Sequence, residues 1–155
     1  MPEEKEYLTI EKFEEFTNEL EYLRKTRRKE VAQNLEYAKA LGDLAENSEY
    51  HEARDVQANI EDRISRLESI LKTAVIVSSH DSNKVSVGSV VTVTKDKNDK
   101  AQTYTIVGSE ESDTSSGKIS VKSPLGSAVL GKKKGDNFSF RVPTGTANYK
   151  VVDIK

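Results

Sequence analysis

Between Ile10 and Leu71 apolar residues recur every three or four positions, and the only glycine in that stretch is Gly42. Before it the stripe runs through Ile10, Phe13, Phe16, Leu20, Leu23, Val31, Leu35 and Ala38; after it come Ala53, Val56, Ile60, Ile64, Leu67 and Leu71. This spacing puts one apolar edge on each of two long amphipathic helices. No proline breaks either run, and glycine is the residue that closes a helix in a left-handed conformation. The arrangement that lets both edges bury each other is an antiparallel coiled-coil hairpin. Each arm of about 30 residues reaches about 45 Å at 1.5 Å per residue. Two helices bury a single seam, so the hairpin is built for reach.

Beyond Thr73 the helical period stops and short β-branched runs take over, at residues 74–78, 89–94, 103–107, 119–122, 138–142 and 149–154. These read as strands. Polar clusters at 95–100 and 109–117 read as turns, and 124–130 as a short helix with Pro124 in its first turn. The expected fold class is α+β: a helical hairpin over residues 1–78 with an acidic tip near 42–47, then a small β-rich domain over 79–155. Residues 79–87 are expected to join the two.

Composition removes several classes of function. Zero cysteines exclude disulfides, thiol nucleophiles and zinc–cysteine sites. The first twenty residues lack the basic start and apolar core of an export signal, and no apolar run is long enough to span a membrane. A cytoplasmic protein without membrane association is expected. The net charge of −2 hides an asymmetry, net −6 over residues 1–75 and net +4 over 76–155. Binding to free duplex through phosphate neutralisation needs a strong basic excess on one face, which this chain lacks.

The hairpin tip, Gly42-Asp43-Leu44-Ala45-Glu46-Asn47-Ser48-Glu49-Tyr50-His51, places two carboxylates where the helices meet. Asp43 and Glu46 are three apart, which is also the spacing of a helix N-cap and its capping-box glutamate. Capping is therefore the plain reading of the pair, and both acids would favour the positive end of the helix dipole. His51 and Asp55 lie one turn apart without further ligands, and His80 has no partner pattern. The run Arg24, Lys25, Arg27, Arg28, Lys29 reads as a solvated helix face. Lys39 and Arg54 fall within about two turns of the tip, and cations flanking two acids suit a phosphate held beside a metal ion. No phosphate-cradling loop, Ser-His-Asp order or helix-borne zinc pattern is present.

The stretch from Leu41 to Arg54, with Ser123-Pro124-Leu125-Gly126 and the β-rich end of the chain, resembles the GreA/GreB family of bacterial transcription elongation factors, in the same order and over essentially the whole chain. The resemblance implies a coiled coil that enters the secondary channel of RNA polymerase, and an FKBP-like C-terminal domain that docks at the channel rim. It implies stimulation of the polymerase's own cleavage of the nascent RNA 3′ end extruded by backtracking. Asp43 and Glu46 match the family's two tip acids, which would help hold a Mg²⁺ shared with the polymerase; no cofactor is expected in isolation. Lys39 and Arg54 match positions that could hold the displaced RNA, and Asn47 and Tyr50 either shape the tip or contact RNA. The factor itself is then no enzyme, and a monomer is expected.

Two departures bear on that reading. Ala45 stands where relatives often carry a charge, and no extended basic patch is evident. A non-catalytic regulator that obstructs the polymerase channel is the alternative, disfavoured by the two tip acids. A prolyl isomerase in residues 80–155 is disfavoured by scarce aromatics: Tyr104, Phe138, Phe140 and Tyr149, with no tryptophan.

Overall fold

The computed structural model describes residues 4–77, 82–98 and 100–155. The element order is β1 (Glu6–Leu8), α1 (Ile10–Tyr22), a π turn (Leu23–Arg27), α2 (Arg28–Ala40), α3 (Ser48–Thr73), β2 (Ala74–Ile76), β3 (Val90–Lys95), β4 (Ala101–Val107), β5 (Lys118–Ser120), α4 (Pro124–Val129), β6 (Asn137–Val142) and β7 (Gly145–Ile154). The fold class is α+β, a helical hairpin followed by a β-rich part. By its internal contacts the chain divides into two units, residues 11–74 and residues 4–10 with 75–155. The predicted histidine position His80 lies outside the described residues.

In the first unit the seam is closed by Phe16, Leu20, Val31 and Ala38 from the first arm and Ile60, Ile64, Leu67 and Ile70 from α3, all buried. The first arm is not one uninterrupted α-helix. Its apolar positions Leu23 and Val31 are eight residues apart, where two steps of a seven-residue repeat would take seven. The π turn takes up the extra residue, and the Arg28 amide bonds back to the Leu23 carbonyl, an i→i−5 closure. Ion pairs brace the arms across this region. Arg24 pairs with Glu68, Arg28 holds Glu61 with two bonds of 2.8 and 2.9 Å, and Arg63 holds Glu19 with two of 2.7 and 3.0 Å. The Arg63 guanidinium also lies 5.5 Å from the centre of the Phe16 ring. The basic run across the π turn and the start of α2 is thus largely spent on carboxylates, with Lys25 on Glu21 and Arg27 on Glu30.

The second unit holds a five-stranded sheet in the order β5-β4-β3-β7-β6. The pairs β3–β4, β3–β7 and β6–β7 are antiparallel, whereas β4 and β5 run parallel with Ile106 opposite Ile119. Its core is Val85, Val91, Val93, Ile106, Val129, Phe138, Val151 and Ile154. Val85 belongs to a stretch expected only to connect. Instead its amide donates to the Lys132 carbonyl and its carbonyl accepts from Gly131, both at 2.8 Å, so Val85 itself is clamped into the fold. A second sheet, β1 with β2, carries the wholly buried Leu8. The Ser123-Pro124-Leu125-Gly126 motif starts α4: Ser123 Oγ accepts from the Gly126 amide at 3.1 Å and donates to the Ser120 carbonyl at 2.6 Å. Phe138, Phe140 and Tyr149 stack on one another at 5.6–6.5 Å, so three of the scarce aromatics face each other. Among the described residues, no helix is long and apolar enough to cross a membrane.

Candidate functional site at the hairpin tip

The turn between α2 and α3 is built from two consecutive left-handed residues. Leu41 is the C-cap of α2, Gly42 follows at φ +81° and Asp43 at φ +48°. Glycine takes that conformation without cost, and aspartate is among the few other residues that visit it. The Gly42 amide closes back on the Lys39 carbonyl at 3.2 Å, as in a Schellman helix end. The chain then turns once more, with the Glu46 amide on the Asp43 carbonyl at 3.1 Å, before α3 begins at Ser48.

This geometry corrects the capping reading. The N-cap of α3 is Asn47, whose side-chain Oδ1 accepts from the Tyr50 amide at 3.0 Å. Asp43 and Glu46 sit in the turn ahead of the helix, both exposed. The reason is local: the two left-handed residues consume chain length, so helical φ/ψ begins at Ser48, five residues after Asp43, rather than at Leu44. Asp43, Asn47 and Ser48 are all capping-type residues, and sequence spacing favoured the wrong one because a capping-box glutamate stood three places after Asp43. The carboxylates are left free of the helix end.

The remaining candidates fall in two groups. Lys39, in the last turn of α2, and Arg54, in the second turn of α3, are both exposed; Arg54 Nη1 donates to Gln57 on its own helix at 3.2 Å. Tyr50 is half-buried, its ring edge-on to His51 at 5.6 Å, and His51 Nε2 lies 3.2 Å from the Ala45 carbonyl. His51 is thereby part of the turn's framework. Asn47 does more than cap: its Nδ2 donates to the carbonyls of Ala38 at 2.7 Å and Gly42 at 3.3 Å. Leu41, Leu44 and Tyr37 leave apolar surface exposed near the tip, Tyr37 being 67% exposed.

Electrostatically the tip combines two exposed carboxylates with a cation on each adjoining helix. Among the described residues, no group of three or more His, Cys, Asp or Glu side chains converges to hold a metal ion. Two carboxylate groups are a partial ligand set for a hard cation, which takes six or more oxygens. What the tip can do chemically is complete a coordination sphere that another molecule supplies in part.

Comparison with known proteins covers both units. Residues 6–76 match the family described as "Transcription elongation factor, N-terminal", and residues 79–155 match "Transcription elongation factor, GreA/GreB, C-term". The chain is 45% identical to transcription elongation factor GreA of Thermoanaerobacter pseudethanolicus over 96% of each chain. It is 43% identical to the GreA of Clostridium acetobutylicum over 100% of each. Among solved structures, the transcription factor Gfh1 is 30% identical, covering 99% of both chains, with a TM-score of 0.48.

Proposed function

This chain belongs to the GreA/GreB family of transcription elongation factors, and from that premise we propose that it is a transcript cleavage factor acting on RNA polymerase in the cytoplasm. The hairpin enters the polymerase secondary channel tip first, and the β-rich unit docks at the channel rim. The factor is not itself a nuclease. It lends Asp43 and Glu46 to the polymerase active centre, where the backtracked RNA 3′ end is cut.

The observation that carries this reading is that both tip acids are exposed and neither caps a helix. An acid engaged at a helix end would be held by backbone amides; these two are available. The polymerase's Mg²⁺ would supply the activated water and charge neutralisation of metal-assisted phosphodiester hydrolysis. Asp43 presents its carboxylate as a ligand to that ion. Glu46, one turn further on, shares the ion or orients the water. Lys39 and Arg54 hold the displaced RNA through its phosphates, and an arginine fork can do so with two hydrogen bonds.

The test is RNA cleavage in a stalled, backtracked elongation complex, comparing the unsubstituted factor with Asp43→Asn. Asparagine tolerates a left-handed φ as aspartate does, but it lacks the anionic oxygen that Mg²⁺ prefers. The expected outcome is stimulated cleavage by the unsubstituted factor and a loss of 10²-fold or so in the variant, the scale of removing one stabilising group from an active centre, with polymerase affinity retained. If the unsubstituted factor leaves the RNA uncut, or only slows elongation, the hairpin obstructs the channel instead and the cleavage reading falls.

A further inference from the structure

Helix N-caps of comparable quality are made by Asn, Asp and Ser, so capping alone gives no reason for asparagine at position 47. The structure supplies one. The Asn47 side chain closes both helices at once: Oδ1 caps α3 through the Tyr50 amide, and Nδ2 reaches back nine residues to the Ala38 carbonyl in α2. Ala38 is the third residue before the C-cap Leu41, the carbonyl that the outer hydrogen bond of a Schellman end would engage from the second residue past the cap. That second residue is Asp43. Here Asn47 Nδ2 takes the Ala38 carbonyl at 2.7 Å, and the same nitrogen reaches Gly42 at 3.3 Å. Asp43 is thereby released from the helix end and turns outward at φ +48°.

We propose that Asn47 is a positioning residue for Asp43 and Glu46: its amide locks the turn 42–46 to both helices and so sets where the two carboxylates stand. This deepens the cleavage reading and rests on it. Only a carboxamide has both the acceptor and the two donors that this place uses; serine has one donor and an ionised aspartate none. An aspartate here would cap α3 and set its carboxylate against the Ala38 and Gly42 carbonyl oxygens. The role differs from a contact with RNA, because both polar atoms of Asn47 are already engaged within the hairpin.

The discriminating variant is Asn47→Ser in the full chain, which keeps the N-cap and removes the reach to α2. Two measurements are made: amide hydrogen exchange of residues 42–46 by NMR in the free factor, and RNA cleavage at saturating factor together with affinity for the elongation complex. The expected result is faster exchange at Glu46, whose amide closes the turn on Asp43, by about 10-fold as local opening becomes easier. Cleavage at saturation should fall about 10-fold or more, since misplacing reacting groups by an ångström is that costly, while affinity changes less than about twofold. Unchanged exchange with reduced cleavage would mean that Asn47 touches RNA directly, and overturns the proposal. Faster exchange with full cleavage at saturation also overturns it, leaving a purely structural cap. Failure of the cleavage reading itself would show in the unsubstituted factor before any variant is compared, and the exchange rates would then still report whether Asn47 holds the turn.

Discussion

Gly126→Ala is a substitution whose sign is set by the tertiary structure against local propensity. Gly126 lies inside α4, where replacing glycine with alanine ordinarily stabilises by about 1 kcal/mol. Its backbone is not left-handed, so conformation raises no objection. A Cβ built there, however, would stand 2.0 Å from the Ser120 carbonyl oxygen and 3.0 Å from Ser123 Oγ. The Ser120 carbonyl is the acceptor for both the Ser123 amide at 3.0 Å and its hydroxyl at 2.6 Å, so it cannot retreat without loosening the cap of α4. Overpacking of this kind costs about 1–3 kcal/mol, and a disturbed hydrogen bond adds about 1 kcal/mol. Against the 1 kcal/mol of helix propensity, a net loss of about 2 kcal/mol is expected. Urea unfolding of the full chain, followed through near-UV signals of Tyr104 and Tyr149 in the β-rich unit, should show the midpoint lowered by about 1 M at a slope of about 2 kcal/mol/M. Ser127→Ala, at an exposed position of the same helix, is the control and should leave the midpoint unchanged or slightly raised. A Gly126→Ala protein as stable as the unsubstituted one would refute the close approach on which the argument depends.

Two further predictions concern the hairpin. Ile64→Ala removes a side chain that is 3% exposed at the middle of the seam; a loss of about 2–5 kcal/mol is expected on helical circular dichroism, and a loss below 1 kcal/mol would argue against a packed seam there. Glu19 is held below its ordinary carboxyl value of 4.5, first by its hydrogen bonds from Arg63 and also by the charges of Arg63 and Lys12, with partial burial acting the other way. A carboxyl lowered by folding contributes stability that is complete above 4.5 and lost as the pH falls through its folded value. The stability difference between the unsubstituted protein and Glu19→Gln should therefore reach at most about 1 kcal/mol at neutral pH, given the exposure of the pair, and should close on acidification. A difference of the same size at pH 7 and well below pH 4 would mean that the ion pair is not its source.

Much of this protein is readable from residue order alone, because the relevant physics is local. The three-to-four spacing from Phe16 to Leu67 dictates amphipathic helices, and Gly42 is where the chain can turn; both are as expected, with Gly42 at φ +81°. The β-branched runs each become a strand, and Pro124 stands at the start of α4. What residue order left open are the matters settled by partners distant in the chain. The three residues of β1 carry no strand signal of their own and are strands because β2, nearly seventy residues later, offers them a pairing edge. Val85 reads as connector and is core because Gly131 and Lys132 pair with it. The same distinction governs the tip. The sequence alone places Asp43 and Glu46 between two helices. That neither is a cap follows from Asn47 Oδ1 taking the Tyr50 amide. What only the packed hairpin supplies is the Asn47 Nδ2 bond to the Ala38 carbonyl, since a hydrogen bond between two helix ends exists only once the helices are packed side by side.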